Sequence, residues 1–235
     1  MNDYSLINKK TYDFLACDYE MRLNNPDKDY IEVGKDICKC VFETNLIRSK
    51  QENNKIINVL EIGCGPGAVL MELNHYSNVQ VYAIDISETM AKFARKHCPN
   101  IKIKVADVFK IDDIKKFFKI DHKFDVIIMA AFIHLFSADD TKVLLSKVKE
   151  WADENAVIYI DTTAEPFFKN GSIIEKRSFG GLKLNYFRTL WTKETLNSFL
   201  IENGFEIIDQ YLHSAKFERR IWIRTVIKKG KGGKG

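Results

Sequence analysis

The segment Val59-Leu60-Glu61-Ile62-Gly63-Cys64-Gly65-Pro66-Gly67 constrains this chain more than any other. An apolar run over residues 56–62 stops at the first of three alternating glycines, and residues 68–76 then take up a helical pattern. Glycine lets a backbone bend sharply and approach a ligand without a Cβ clash. The helix start beyond it offers free N–H groups. A lone glycine pattern is weak, because a tight strand–helix turn needs glycines even without a ligand. This one follows a strand and carries Glu61 two residues ahead of its first glycine.

From this turn onward the pattern alternates. Strands are expected at 79–84, 101–106, 124–131 and 156–161, and helices at 87–97, 111–118 and 139–153. Ser87 is placed to cap its helix. Such alternation implies parallel βαβ units and a doubly wound sheet. The last third breaks the rule. A helix at 192–203 stops at Gly204, and runs at 205–213 and 220–228 leave no room for a crossover helix. They must form an antiparallel hairpin. Ahead of the first strand, residues 4–50 read as two helices.

Composition narrows the class. The 235 residues are 46% hydrophobic and 29% charged, as expected of one globular domain. No apolar run approaches the ~20 residues of a membrane span, and the N-terminus lacks the basic-then-apolar pattern of a secretion signal. Five cysteines at Cys17, Cys38, Cys40, Cys64 and Cys98 fit no disulfide framework or zinc site, which suits a reducing, cytoplasmic setting. The formal charge is +4, yet the last eight residues alone hold four lysines and no acid. The body is therefore electrically balanced, and a nucleic-acid partner, which would need a basic face, is not expected. Residues 229–235 are expected to be a disordered basic tail of glycine and lysine.

Two further acids complete a pattern. Asp85 ends the second strand, about 20 residues past the first glycine, where an acid can bind both hydroxyls of a ribose. Asp107, in Ala106-Asp107-Val108-Phe109, ends the third and could accept from an adenine amino group. Strand ends facing one crevice form the usual ligand site of an open α/β sheet. A nicotinamide dinucleotide is the rival ligand, since its GxGxxG fingerprint tolerates Ala68 in the last place. Glu61, Asp107 and the terminal hairpin weigh against it.

The set Glu61-x-Gly-x-Gly-x-Gly67, Asp85, Asp107 and Phe124-Asp-Val-Ile127 resembles the motif series of class I S-adenosylmethionine-dependent methyltransferases, over most of residues 10–228. The resemblance implies a seven-stranded Rossmann-like sheet, mostly parallel with an antiparallel C-terminal hairpin. It also implies a helical N-terminal lid (1–50), a core (51–228) and a substrate-side insertion (about 163–191). Gly63, Cys64, Gly65 and Gly67 would pack against the methionine part and ribose of S-adenosylmethionine, and Glu61 would support its amino group. Asp85 would hold the ribose diol, and Ile86 would lie along the adenine. Asp107 and the Val108 amide would read the adenine edge, and the Ala130 carbonyl would approach the methionine. S-adenosylhomocysteine would be the product.

The acceptor side is less sharply marked. Tyr12-Asp-Phe-Leu-Ala-Cys-Asp-Tyr19 resembles the YDxxAxxY entry of small-molecule methyltransferases. Tyr12 and Tyr19 share a helical face and would border the pocket, Tyr12 on the cofactor side and Tyr19 near the chemistry. His134 lies beside the donor in this family, and its pKa suits general-base work, although a histidine there can equally serve packing. Phe132 and the insertion residues Tyr186, Arg188 and Trp191, with Phe167, Phe168, Phe187 and the nearby Trp222, would roof the substrate. One arginine among aromatics would suit an aromatic or amine acceptor bearing a carboxylate or phosphate. No metal-ligand spacing is present, and Met129-Ala-Ala-Phe132 stands where amino-methylating DNA and glutamine enzymes carry their Pro-Pro motif.

The leading expectation is a methyltransferase acting on a small molecule, as a monomer or homodimer. Residues 186–196 and 203–205 also resemble the C-terminal region of tRNA wobble-uridine methyltransferases, an alternative that the balanced charge disfavours. A non-catalytic binding protein of the same fold is the third reading.

Overall fold

The computed structural model describes residues 3–25, 30–164, 171–179, 182–214 and 221–230. Nine strands and eight α-helices are found among them. The N-terminal region holds three helices, α1 (Asp3–Leu23), α2 (Tyr30–Phe42) and α3 (Asn45–Glu52), where two were expected. The alternating core runs β1 (Ile57–Ile62), α4 (Ala68–Leu73), β2 (Val79–Asp85), α5 (Glu88–His97), β3 (Lys102–Val105), α6 (Ile114–Phe118), β4 (Phe124–Met129), α7 (Ala138–Trp151) and β5 (Ala152–Thr163). Beyond it lie β6 (Gly171–Phe179), β7 (Leu182–Leu190), α8 (Lys193–Glu202), β8 (Phe205–Ser214) and β9 (Ile221–Lys229).

Seven strands form one sheet in the order β3-β2-β1-β4-β5-β9-β8, and β9 alone runs opposite to the other six. The central parallel strands β1, β4 and β5 are mostly apolar on both faces because helices cover both. One face packs Leu60, Ile127 and Ile158 under α6, α7 and α8, through Phe118, Leu144 and Leu196. The other packs Val59, Val126 and Val157 under α2–α5, through Ile37, Ile47, Leu70 and Ala94. The order steps from β1 to β2 on one side and to β4 on the other, so the strand ends splay at a topological switch point where ligands bind.

Local chemistry sets the element boundaries. Ser87 accepts a hydrogen bond from the Met90 amide and starts α5, as expected. Asp113 caps α6, so that helix begins three residues later than its apolar pattern suggested. The expected hairpin is present, and β9 runs on to Lys229, whose ammonium meets the Ala152 carbonyl and Glu154. The ordered strand therefore reaches one residue into the expected tail, and residues 231–235 lie outside the described residues.

The insertion departs most from its sequence pattern. It contains two antiparallel strands, β6 and β7, paired over their full length, where one strand-like run was expected. Phe167 and Phe168 lie outside the described residues.

This hairpin holds α1 in place. Asn8 donates to the carbonyls of Phe187 and Leu135 and accepts from the Phe187 amide. Thr11 donates to the Asn185 carbonyl at 2.7 Å, and Tyr4 stacks on Phe187 at 4.1 Å. Asn8 thus supplies an amide-like edge to a backbone edge, and its loss leaves buried backbone groups without partners. Asn8→Ala is expected to cost on the order of 2 kcal/mol. It should speed hydrogen exchange in α1 and β7 while leaving β1 and β4 protected; uniform acceleration across the sheet would show that α1 is not separately pinned.

Candidate functional site

A cavity of about 840 Å³ opens over the C-terminal ends of β1, β2, β3 and β4 and beneath α1. That is near the upper end for small-molecule sites, roughly 300–1,000 Å³. The glycine turn forms one wall. The amides of Gly63 and Cys64 donate to the Ile84 carbonyl at 2.7 and 3.2 Å, which locks the turn to the end of β2. Gly65 and Gly67 have φ of +53° and +102°, a backbone that side chains rarely tolerate. Their surroundings differ. A Cβ on Gly67 would lie 3.3 Å from the Ala94 backbone of α5, whereas one on Gly65 would meet nothing within 4 Å. Gly67 is thus required for helix packing, and the space beside Gly65 is open.

Asp85 is buried, with its two oxygens accepting from the Gly65 and Ser87 amides, each at 2.8 Å. Burial pushes its carboxyl up to about 6, against the opposing pull of those amides. Ser87 also donates to Asp13 of α1, which ties that helix to the same corner. Glu61 is buried at the end of β1, and its Oε2 has no hydrogen-bond partner among the described residues. Burial, then the nearby charge of Asp85, holds its carboxyl well above the usual range. Burial likewise keeps Cys64 a protonated thiol. Asp107 accepts from the Phe109 amide at 3.1 Å and borders the cavity with Val108.

Across the cavity, a chain of hydrogen bonds runs from His134 Nε2 to the Tyr186 hydroxyl and on to the Tyr12 hydroxyl, each step 3.1 Å. His134 is 2% exposed and meets the edge of Trp222, with centroids 6.1 Å apart. Tyr19 packs 6.1 Å from Tyr12, under the guanidinium of Arg22.

The structure therefore gathers Tyr12, Tyr19, Glu61, Gly63, Cys64, Gly65, Asp85, Ile86, Asp107, Val108, Ala130, Phe132, His134 and Tyr186 around one cavity. Gly67 stands behind the turn. Arg188 and Trp191 are not among the lining residues. Arg188 pairs with Glu175 at 2.7 Å and donates to the Thr163 hydroxyl, so it holds the hairpin together. Trp191 is buried against Phe199 in the core. In β7, positions 186 and 188 share a face, but the cross-strand partner near 188 supplies an acid that draws the arginine away. Sequence reasoning passed over Asn8, Asp161, His213 and Arg224, which also border the cavity. Asp161 had a visible signal, since it lies near the C-terminal end of a parallel strand as Asp85 does. Arg224 showed only as a charge inside an apolar strand.

The donor set suits S-adenosylmethionine. An unpartnered buried carboxylate can receive its ammonium, an acid already oriented by two amides can receive a ribose diol, and the open side of Gly65 lets the ligand approach the backbone. Among the described residues, no group of three or more potential metal ligands is present.

Comparison with known proteins agrees with this geometry. Residues 59–155 match a methyltransferase domain family. A malonyl-[acyl-carrier protein] O-methyltransferase of Bacillus cytotoxicus is 34% identical over 107 residues, covering 44% of this chain and 34% of that protein. The chain thus aligns with about a third of the length of this curated relative. Among solved structures, a DhpI complex with S-adenosylhomocysteine has a TM-score of 0.67 at 15% identity, covering 95% of this chain and 96% of that one. Magnesium protoporphyrin IX methyltransferase from Synechocystis with bound S-adenosylmethionine has a TM-score of 0.64 at 17% identity over 96% and 97%. The 1,6-didemethyltoxoflavin-N1-methyltransferase of Burkholderia thailandensis reaches 0.69 at 12% identity over 97% and 90%. Residues 59–155 thus resemble a methyltransferase domain, and the described chain shares the fold of these solved methyltransferases.

The Asp85 carboxyl gives a testable sign. Its pKa in the fold lies above its ordinary 3.8, so the fold favours the acid form. The resulting stability is fully present below about pH 4 and is lost as pH rises through about 6, to a total near 3 kcal/mol. Asp85→Asn should remove that part of the slope in urea unfolding between pH 4 and 7. A variant with the wild-type slope would show that Asp85 is not the titrating group.

Proposed function

We propose that this protein transfers a methyl group from S-adenosylmethionine to a nitrogen, oxygen or sulfur of a small-molecule acceptor. The observation that carries the reading is the buried, unpartnered Oε2 of Glu61 beside the amide-held carboxylate of Asp85, on the wall of one cavity. When bound, S-adenosylmethionine supplies an electrophilic methyl on a positively charged sulfur with a neutral leaving group. The acceptor lone pair forms the new bond to carbon as the sulfur–carbon bond breaks, and its electrons stay on sulfur in S-adenosylhomocysteine.

The residues of this chain then have positional work to do. Glu61 receives the ammonium, which also offsets the unfavourable proximity of two buried carboxyls. Asp85 keeps a second lone pair on each oxygen for the ribose hydroxyls. Asp107 and the Val108 amide read the adenine edge, Ile86 lies along its face, and the Ala130 carbonyl borders the methionine. The α1 lid and the β6–β7 hairpin exclude water, so that alignment of donor and acceptor supplies most of the acceleration. His134, bonded through Tyr186 to Tyr12, takes the proton that an acceptor hydroxyl or N–H must lose. The free state of all five cysteines supports a cytoplasmic, reducing location. No helix among the described residues is long and apolar enough to cross a membrane. We also read the protein as a monomer or homodimer.

The test is transfer of labelled methyl from S-adenosylmethionine into a cell extract separated into small molecules, RNA and protein. Label should enter the small-molecule fraction and vanish with Asp85→Ala, which should also weaken S-adenosylhomocysteine binding at least tenfold. With the acceptor identified, His134→Ala should lower kcat by about 10²-fold and Tyr186→Phe by less, with cofactor affinity within twofold of wild type. Label in RNA would overturn the small-molecule assignment, and an unchanged kcat in His134→Ala would remove the base.

A further inference from the structure

The floor of the acceptor half of the cavity carries a charged pair that methyl-donor binding does not use. Arg224 of β9 and Asp161 of β5 are direct cross-strand partners, and Trp222 lies two residues from Arg224 on the same face. Arg224 is 3% exposed and Asp161 4%, and both border the cavity. The guanidinium reaches Asp36 of α2 at 3.3 Å through one nitrogen. Its Nε stands 3.7 Å from Asp161 Oδ2, too far for a hydrogen bond, and has no hydrogen-bond partner among the described residues. A buried donor left without an acceptor is unfavourable unless a ligand supplies one. A buried donor and a buried acceptor therefore stand side by side at the cavity wall.

The charge balance restricts what they can receive. Arg224 is flanked by two carboxylates, Asp36 and Asp161. The other cations on the wall are also neutralised, Lys9 by Asp13 and Arg22 by Asp18, and Arg188 lies outside. An anionic acceptor would gain little from a guanidinium already paired and would meet Asp161 at close range. The sequence-based expectation of a carboxylate- or phosphate-bearing acceptor thus finds no unpaired lysine or arginine among the described residues of this cavity. The walls are flat and aromatic instead, with Trp222 against His134 and Tyr186 against Tyr12. A planar ring can pack there while its edge meets the floor.

From this geometry we propose that Arg224 and Asp161 together read the edge of an uncharged planar heterocycle, one with an N–H beside a carbonyl as in a lactam or pyrimidinedione. The guanidinium donates to the carbonyl, and Asp161 accepts from the N–H. The pair sets specificity, and a ring bound by this edge presents its far side to the His134–Tyr186 chain. The inference rests on the methyltransferase reading of the same cavity.

The test is calorimetry on the full chain saturated with S-adenosylhomocysteine, using lumazine, 1-naphthoate and phenyl phosphate as probes. Lumazine should bind at least tenfold more tightly than either anion. Arg224→Lys keeps the charge but loses the planar fork, and Asp161→Asn keeps the shape but loses the charge. Each should weaken lumazine at least tenfold while S-adenosylhomocysteine affinity stays within twofold, which a general loss of folding would not do. Tighter binding of either anion, lumazine affinity unchanged in both variants, or no probe binding to a protein that holds S-adenosylhomocysteine would each overturn the proposal. Failure of the wild-type protein to bind S-adenosylhomocysteine would instead bring down the methyltransferase reading beneath it.

Discussion

The site depends on one lock between two strand ends. The backbone of the glycine turn donates to Ile84, and the next residue along, Asp85, accepts from Gly65. The turn and the acid thus fix each other, one through main-chain bonds and one through a side chain. This closes the β1–α4 connection without any help from a ligand. It also forces Asp85 and Glu61 into a buried corner, where desolvation raises both carboxyls. A fold that only needed a tight turn would have no reason to retain two unfavourable acids there. Perturbed acids in a cleft are a signature of binding and chemistry, and in the proposed function the offsetting interaction is a cation and a diol brought by the ligand.

Helix α1 takes its position from the same corner. Asp13 reaches Ser87, the cap of α5, while Asn8 and Thr11 grip the β7 backbone. One helix therefore bridges the wall at the start of α5 and the wall made by β7. Tyr12 sits between those anchors, which explains how a residue near the N-terminus can end a hydrogen-bond chain that starts at His134.

The half of the cavity walled by the glycine turn was legible in the sequence because its groups are local. Glu61, Gly63, Gly65 and Gly67 lie within seven residues, and Asp85 and Asp107 each end a strand whose apolar run is visible. The βαβ rhythm then carries those ends to one edge by topology alone. Boundaries shifted where a cap intervened, as at Asp113, since a side-chain bond to the backbone decides the first turn more than apolar spacing does. The second strand of the insertion was hidden because residues 171–179 lack a clean alternation. Their pairing with β7 arises from cross-strand contacts such as Ser172 with Thr189.

The acceptor half resisted sequence reading for a related reason. Its parts come from α1, the turn after β4, β5, β7 and β9, so no local spacing records their proximity. Arg188 and Arg224 show the difficulty: each is a lone arginine on a strand near aromatics. The first faces Glu175 across a hairpin, and the second faces Asp161 at the cavity floor. What separates an arginine bound within a hairpin from one at the cavity wall is the register of the partner strand. Register follows from side-chain patterns on both strands together. A charge inside an apolar strand is therefore best read with its neighbour: an arginine opposite an acid at the C-terminal end of a parallel strand lies where the open sheet binds its ligands, whatever its own sequence context suggests.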